Sequence, residues 1–111
     1  DAFQRAMQSF DVNPELLGKR ILLPGFIVPI TYNEERNVTE FFLVPFFGAC
    51  IHVPPPPPNQ IVHVTYEAGL QLESMYDAYY ILGELSSQVV RHELADSAYS
   101  LKAEHLELYD Y

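Results

Sequence analysis

Apolar and polar positions alternate with a period of two over most of the chain after Lys19, and this pattern predicts strands. Arg20-Ile21-Leu22-Leu23 and Phe26-Ile27-Val28-Pro29-Ile30 are strand-like on both sides of Pro24-Gly25. A glycine within a strand marks a bulge or bend, and a proline there belongs at an edge or bulge. The stretch therefore reads as one long strand bent at Gly25. Residues 32–37 are the polar turn of a hairpin, and residues 38–45, rich in Phe41, Phe42, Leu43 and Val44, return as a second strand. The carboxylates of Glu34, Glu35 and Glu40 read as a solvated hairpin tip. Residues 61–66 form a third strand, with Val62, Val64 and Tyr66 on one face and Ile61, His63 and Thr65 on the other.

Glu67-Ala68-Gly69 then reads as a turn, and residues 70–76 as a short connection with room for one helical turn. Residues 79–85 predict a fourth strand with its own glycine, Gly83. The polar stretch 86–96 is expected to hold a turn of helix around Val89 to Leu94. Residues 99–108 close the pattern as a fifth strand, with Tyr99, Leu101 and Ala103 on one face. At the other end, Phe3, Met7 and Phe10 recur at helical spacing and predict a short amphipathic helix. Asn13-Pro14 starts a second helical turn, capped by Asn13 and ended by Gly18 in the left-handed conformation.

Five strands, two of them carrying internal glycines, predict a mainly β domain: a small five-stranded OB-like barrel with a short N-terminal helix. Residues 1–17 are expected to pack as a helical segment over one barrel mouth, and residues 18–111 to form the barrel. An SH3-like barrel and an open α+β sheet are the competing architectures. At 111 residues the chain has room for one modest core.

Composition narrows the partners. The chain has 49% hydrophobic residues, and no stretch approaches the ~18 apolar residues that span a bilayer. The first residues, Asp1-Ala2-Phe3-Gln4-Arg5, lack the basic start and apolar core of a signal peptide, and with no initiator Met a mature or trimmed form is expected. Fifteen acidic and six basic side chains give a net charge of −9. A phosphate backbone or an anionic lipid surface would be repelled, so nucleic acid and membrane insertion are excluded as expected partners. Such a surface suits solubility, cations or a basic protein. One cysteine makes no internal disulfide.

Candidate chemistry concentrates in one stretch, Phe46-Phe47-Gly48-Ala49-Cys50-Ile51-His52-Val53, followed by Pro54, Pro55, Pro56, Pro57 and Pro58 and then Asn59-Gln60. In an extended conformation Cys50 and His52 project to one face, their Cα atoms roughly 6.5 Å apart. Thiolate and imidazole at that spacing can share one zinc or copper ion and do not suit magnesium or calcium. His63 is the nearest further ligand candidate, with His92, His105 and Glu40 behind it. The competing reading keeps Cys50 as a small core hydrophobe among Phe46, Phe47 and Ile51. Cys–His nucleophilic catalysis ranks third, for want of an orienting group or oxyanion loop. The prolines form a stiff polyproline II rod, and with Asn59 and Gln60 offer a docking surface for a protein partner.

The same residues carry a family resemblance. Gly18-Lys19-Arg20, Leu23-Pro24-Gly25-Phe26-Ile27-Val28-Pro29, the stretch from Phe42 to Val53 with its five prolines, Asn59-Gln60-Ile61-Val62, Tyr76-Asp77 and Gly83 resemble the bacterial family catalogued as domain of unknown function 3299. The resemblance implies export by a signal sequence not present in this chain, a periplasmic home and an association with ATP-binding-cassette transporter components in settings of metal supply. It carries no established activity. The family motif matches at Cys50 and His52, whereas His63 falls where relatives carry other residues. The expected function is a non-enzymatic periplasmic binding module that takes zinc or copper or docks a transporter partner. The alternative is a structural interaction domain docking through the polyproline segment.

Overall fold

The computed structural model describes residues 12–46, 49, 55–72 and 77–109. Five long strands form a closed barrel in the order β1-β2-β3-β7-β4: β1 (Arg20–Tyr32), β2 (Val38–Val44), β3 (Val62–Leu70), β4 (Ala78–Ser86) and β7 (Tyr99–Leu108). All neighbours are antiparallel except β3 and β7, which pair in parallel from Val62↔Tyr99 to Thr65↔Lys102. Two short strands, β5 (Val90–Arg91) and β6 (Asp96–Ser97), form a separate hairpin within the connection from β4 to β7.

Closure depends on β1. Its first half, from Arg20 to Phe26, pairs with β4, and its second half, from Phe26 to Tyr32, pairs with β2. The change of partner falls beside Gly25, where the sequence predicts the bend. A Cβ on Gly25 would lie 2.8 Å from both the Leu43 side chain and the Val44 carbonyl oxygen, so the strand crosses β2 too closely for any side chain. Pro24 sits in the half that pairs with β4 alone, and Pro29 precedes a register shift. A proline is best tolerated where a strand has a free edge or meets a bulge.

Alternation sorts the side chains into two clusters. Ile27, Phe41, Leu43, Val62, Val64, Ile81, Leu85 and Leu101 fill the barrel interior. Phe42 and Val44 point outward from β2 and are equally buried, in a second cluster with Val28, Ala49, Ile61 and Ala95. Ala49 and Ile61 of the connection from β2 to β3, and Ala95 of that from β4 to β7, pack against this outer face. The two connections are joined by the Ala98 N–H, which donates to the Pro58 carbonyl at 2.9 Å.

Four expectations need correction or placement. The predicted N-terminal helix over residues 1–10 lies outside the described residues, and among those described there is no α-helix. Pro14–Leu16 is a single 3-10 turn, with Asn13 accepting from the Glu15 N–H and Gly18 left-handed at φ 76°. The turn expected at Glu67-Ala68-Gly69 is instead an irregular part of β3: Thr65 pairs with Glu40 and Leu70 with Val38, so residues 66–69 face Thr39 alone. The helical turn expected around Val89 to Leu94 is the β5–β6 hairpin. Its tip is closed by the His92 N–H donating to Ala95 O at 3.1 Å and the Leu94 N–H donating to His92 Nδ1 at 3.0 Å. A β-branched pair, Val89-Val90, favours that extended backbone over a helix.

Gly83 marks the tightest point of the barrel wall. A Cβ there would lie 2.4 Å from the Lys102 carbonyl and 2.5 Å from the Leu101 side chain, beside a bulge in the β4–β7 ladder. Gly83→Ala is expected to lower stability by about 1–3 kcal/mol, and exposed Ser87→Ala by no more than ~0.5 kcal/mol. Urea unfolding of the three proteins measures both; an unchanged midpoint for Gly83→Ala contradicts this packing.

Candidate functional site

Outside the barrel, the strand registers assemble a polar group that the chain order conceals. Thr31 on β1 lies opposite Glu40 on β2, and Phe42 lies opposite His63 on β3. Glu40 and His63 are therefore diagonal neighbours on the outer face, within reach of long side chains. Thr31 Oγ1 donates to Glu40 Oε1 at 2.5 Å, and His63 Nε2 bonds Glu40 Oε2 at 2.6 Å. Both carboxylate oxygens are engaged. The Thr31 hydroxyl and the His63 hydrogen bond, helped by the charge of His63 and of His92, hold the Glu40 carboxyl below its usual value despite partial burial.

An ionised Glu40 accepts hydrogen bonds and donates none, so His63 Nε2 carries the proton. In the neutral ring this fixes the tautomer and leaves Nδ1 as the nitrogen without a hydrogen-bond partner among the described residues. The His63 side chain keeps 11% of its surface exposed, where it lines a cleft of about 670 Å³. Thr65, Ser86, Ser100, Glu84 and Lys102 line the same cleft. Its hydroxyls are partly committed: Ser86 Oγ donates to Ser100 O at 3.3 Å, and Ser100 Oγ to Gln88 O at 2.8 Å. They are left to offer acceptor lone pairs.

Phe42 links His63 to a second histidine. Its ring meets His63 edge-on at 5.9 Å and His92 edge-on at 5.6 Å, so the two imidazoles flank one buried phenyl ring. The His92 Nδ1 accepts the Leu94 N–H. His105 stands apart, exposed on β7 with Glu107 3.9 Å away.

The predicted site residues fall as follows. Cys50, His52 and Pro54 lie outside the described residues, as does Gly48. Ala49, between Gly48 and Cys50, is fully buried in the outer cluster with Phe42. Pro55 and Gln60 are exposed, Pro57 and Asn59 half-buried, and Pro56 and Pro58 buried. Asn59 and Gln60 line a second, smaller cavity of about 240 Å³ at the barrel mouth, with Leu16, Leu23, Leu43 and Tyr99. His63 meets Glu40 and comes near His92, two of the further ligand candidates. Among the described residues no three His, Cys, Asp or Glu side chains converge as a metal site.

Glu40 corrects the solvated-tip reading. It sits within β2 with its side chain 33% exposed and both oxygens bonded. Sequence reasoning missed its partnership with Thr31. A partial signal was present, because alternation over Glu40–Val44 puts Glu40 on the same face as Phe42.

Residues 1–108 match a family described as a protein of unknown function, DUF3299. The chain belongs to the DUF3299 family. A crystal structure of a DUF3299 family protein from Pseudomonas aeruginosa has the same fold, with a TM-score of 0.84 and 43% sequence identity. The match covers 87% of this chain and 65% of that one, so the chain spans just under two thirds of that DUF3299 protein. No curated protein matches.

Glu40, held ionised below the usual carboxylate value, stabilises the folded state above the ordinary carboxylate pKa. That contribution is lost as pH falls through its lowered value. Urea midpoints of wild type and Glu40→Gln are therefore expected to differ most near neutral pH and to converge in acid. A gap independent of pH contradicts the assignment.

Proposed function

We propose that this domain is a non-enzymatic binding module whose ligand site opens at His63. The observation that carries the reading is the 2.6 Å bond from His63 Nε2 to a carboxylate already held by Thr31. A carboxylate on one imidazole nitrogen fixes the ring and raises the basicity of the other, the usual support for a metal-ligating histidine. His63 Nδ1 fits a zinc or copper ion, with Cys50 and His52 as the soft and imidazole donors that complete the set. Burial of Ala49 in the cluster that contains Phe42 supports bringing the adjacent cysteine into play. A periplasmic setting and a transporter partner, both implied by the family resemblance, belong to the same proposal.

The strand order, with β7 between β3 and β4 and parallel to β3, supports the OB-like reading of the barrel. OB-type barrels bind oligonucleotides across the outer face of their second and third strands. Here Ala49, Ile61 and Ala95 share that face with Phe42 and Val44, and the net charge is −9. Both features support leaving nucleic acid out and moving the site to the rim at His63.

Titration of the reduced protein with zinc or copper is expected to show about one ion bound. Affinity should fall at least tenfold in Cys50→Ser, His52→Ala and His63→Ala, and roughly tenfold in Glu40→Gln. Equal affinity in all five proteins sinks the metal reading.

A second reading has its own observation. Asn59 and Gln60 line a largely apolar cavity next to exposed Leu16, which suits an apolar anchor from a protein partner beside the outward Pro55 and Pro57. Replacing the exposed Gln60 with bulkier Arg is expected to abolish capture of transporter components while leaving metal affinity and thermal stability unchanged. Retained capture removes this surface from consideration.

A further inference from the structure

The parallel pair that closes the barrel is short. β3 and β7 pair only over Val62–Thr65 and Tyr99–Lys102, although β7 continues to Leu108. Past Thr65, β3 turns away, its residues 66–69 being the irregular stretch that faces Thr39 alone. β7 stays on course, paired with β4 as far as Tyr79↔Leu108. The edge of Ala103–Leu108 that faces β3 therefore has no strand partner among the described residues. The larger cleft begins where the strands diverge, since Thr65, Lys102, Ala103 and Glu104 all line it.

Such an edge presents backbone N–H and C=O groups to an incoming chain. Its surroundings are acidic. Glu84 on β4 and Glu104 on β7 line the cleft, Glu107 lies along the free edge beside His105, and Glu67 is exposed two residues past Thr65, against Lys102 and Arg20 as the cations. Arg20 is engaged with Glu104 at 2.7 Å. At the far end Leu108 is 54% exposed and offers an apolar contact.

We propose that the fork between β3 and β7 is a docking site for an extended, lysine- or arginine-bearing segment of a protein partner, which adds as a strand to Ala103–Leu108. A segment entering the fork runs antiparallel to both walls, because β3 and β7 are parallel to each other, and antiparallel pairing is the stronger kind. Backbone hydrogen bonds supply affinity, and the carboxylates select basic side chains at alternate positions. The fork shares its cleft with His63, but strand addition to Ala103–Leu108 requires no bound metal.

The test uses metal-free protein and a short fluorescent peptide of alternating lysine and valine, about as long as the free edge. Anisotropy is expected to show saturable binding, with amide exchange slowed selectively within residues 103–108. A peptide of the same charge with proline in place of valine, and one with glutamate in place of lysine, are expected not to bind. The double change Glu67→Lys and Glu107→Lys should weaken binding about tenfold. Equal binding of the proline peptide would mean charge attraction alone and overturn strand addition. Absence of binding, or amide protection elsewhere, overturns the site.

Discussion

Barrel closure rests on one strand that serves two partners. β1 gives its first half to β4 and its second to β2, and the exchange takes place where Gly25 lets the backbone press against Leu43 and Val44. The β1–β2 and β2–β3 registers then line up the residues of the polar cluster. They bring Thr31 opposite Glu40, fix the outer face of β2, and set the diagonal along which His63 meets its carboxylate.

β2 is buried on both faces, which is unusual for a strand in a small antiparallel barrel. Phe41 and Leu43 fill the interior, while Phe42 and Val44 lie in the outer cluster with residues of two long connections. Phe41 and Phe42 thus point to opposite faces and are both fully buried. The outer face of β2 also gives His63 its environment. One side of the imidazole meets an aromatic edge and a charged oxygen, and the ring also lines an open cleft. A ring so placed is held in one orientation by these contacts.

The period-two pattern made the five long strands legible in sequence, along with the bend at Gly25 and the Asn13-Pro14 turn, because each rests on local chemistry. Alternation placed His63 correctly on the face opposite Val62 and Val64. What failed to read was non-local. Glu40 looked like hairpin solvent because its partner lies 23 residues away, reachable only through the β2–β3 register. The β5–β6 hairpin was mistaken for a helical turn because its few residues carry no full period of either kind. The irregular end of β3 resembled a turn because Gly69, left-handed at φ 80°, belongs equally well to a bulge.

One hydrogen bond described above ties the two long connections together, from the Ala98 amide to the Pro58 carbonyl. With Ile61 and Ala95 in one cluster, it turns segments far apart in sequence into a single outer layer laid on the barrel. The length of either connection is then constrained by the other. A residue gained or lost in the proline segment would be felt first at the β5–β6 hairpin, and only afterwards in the barrel.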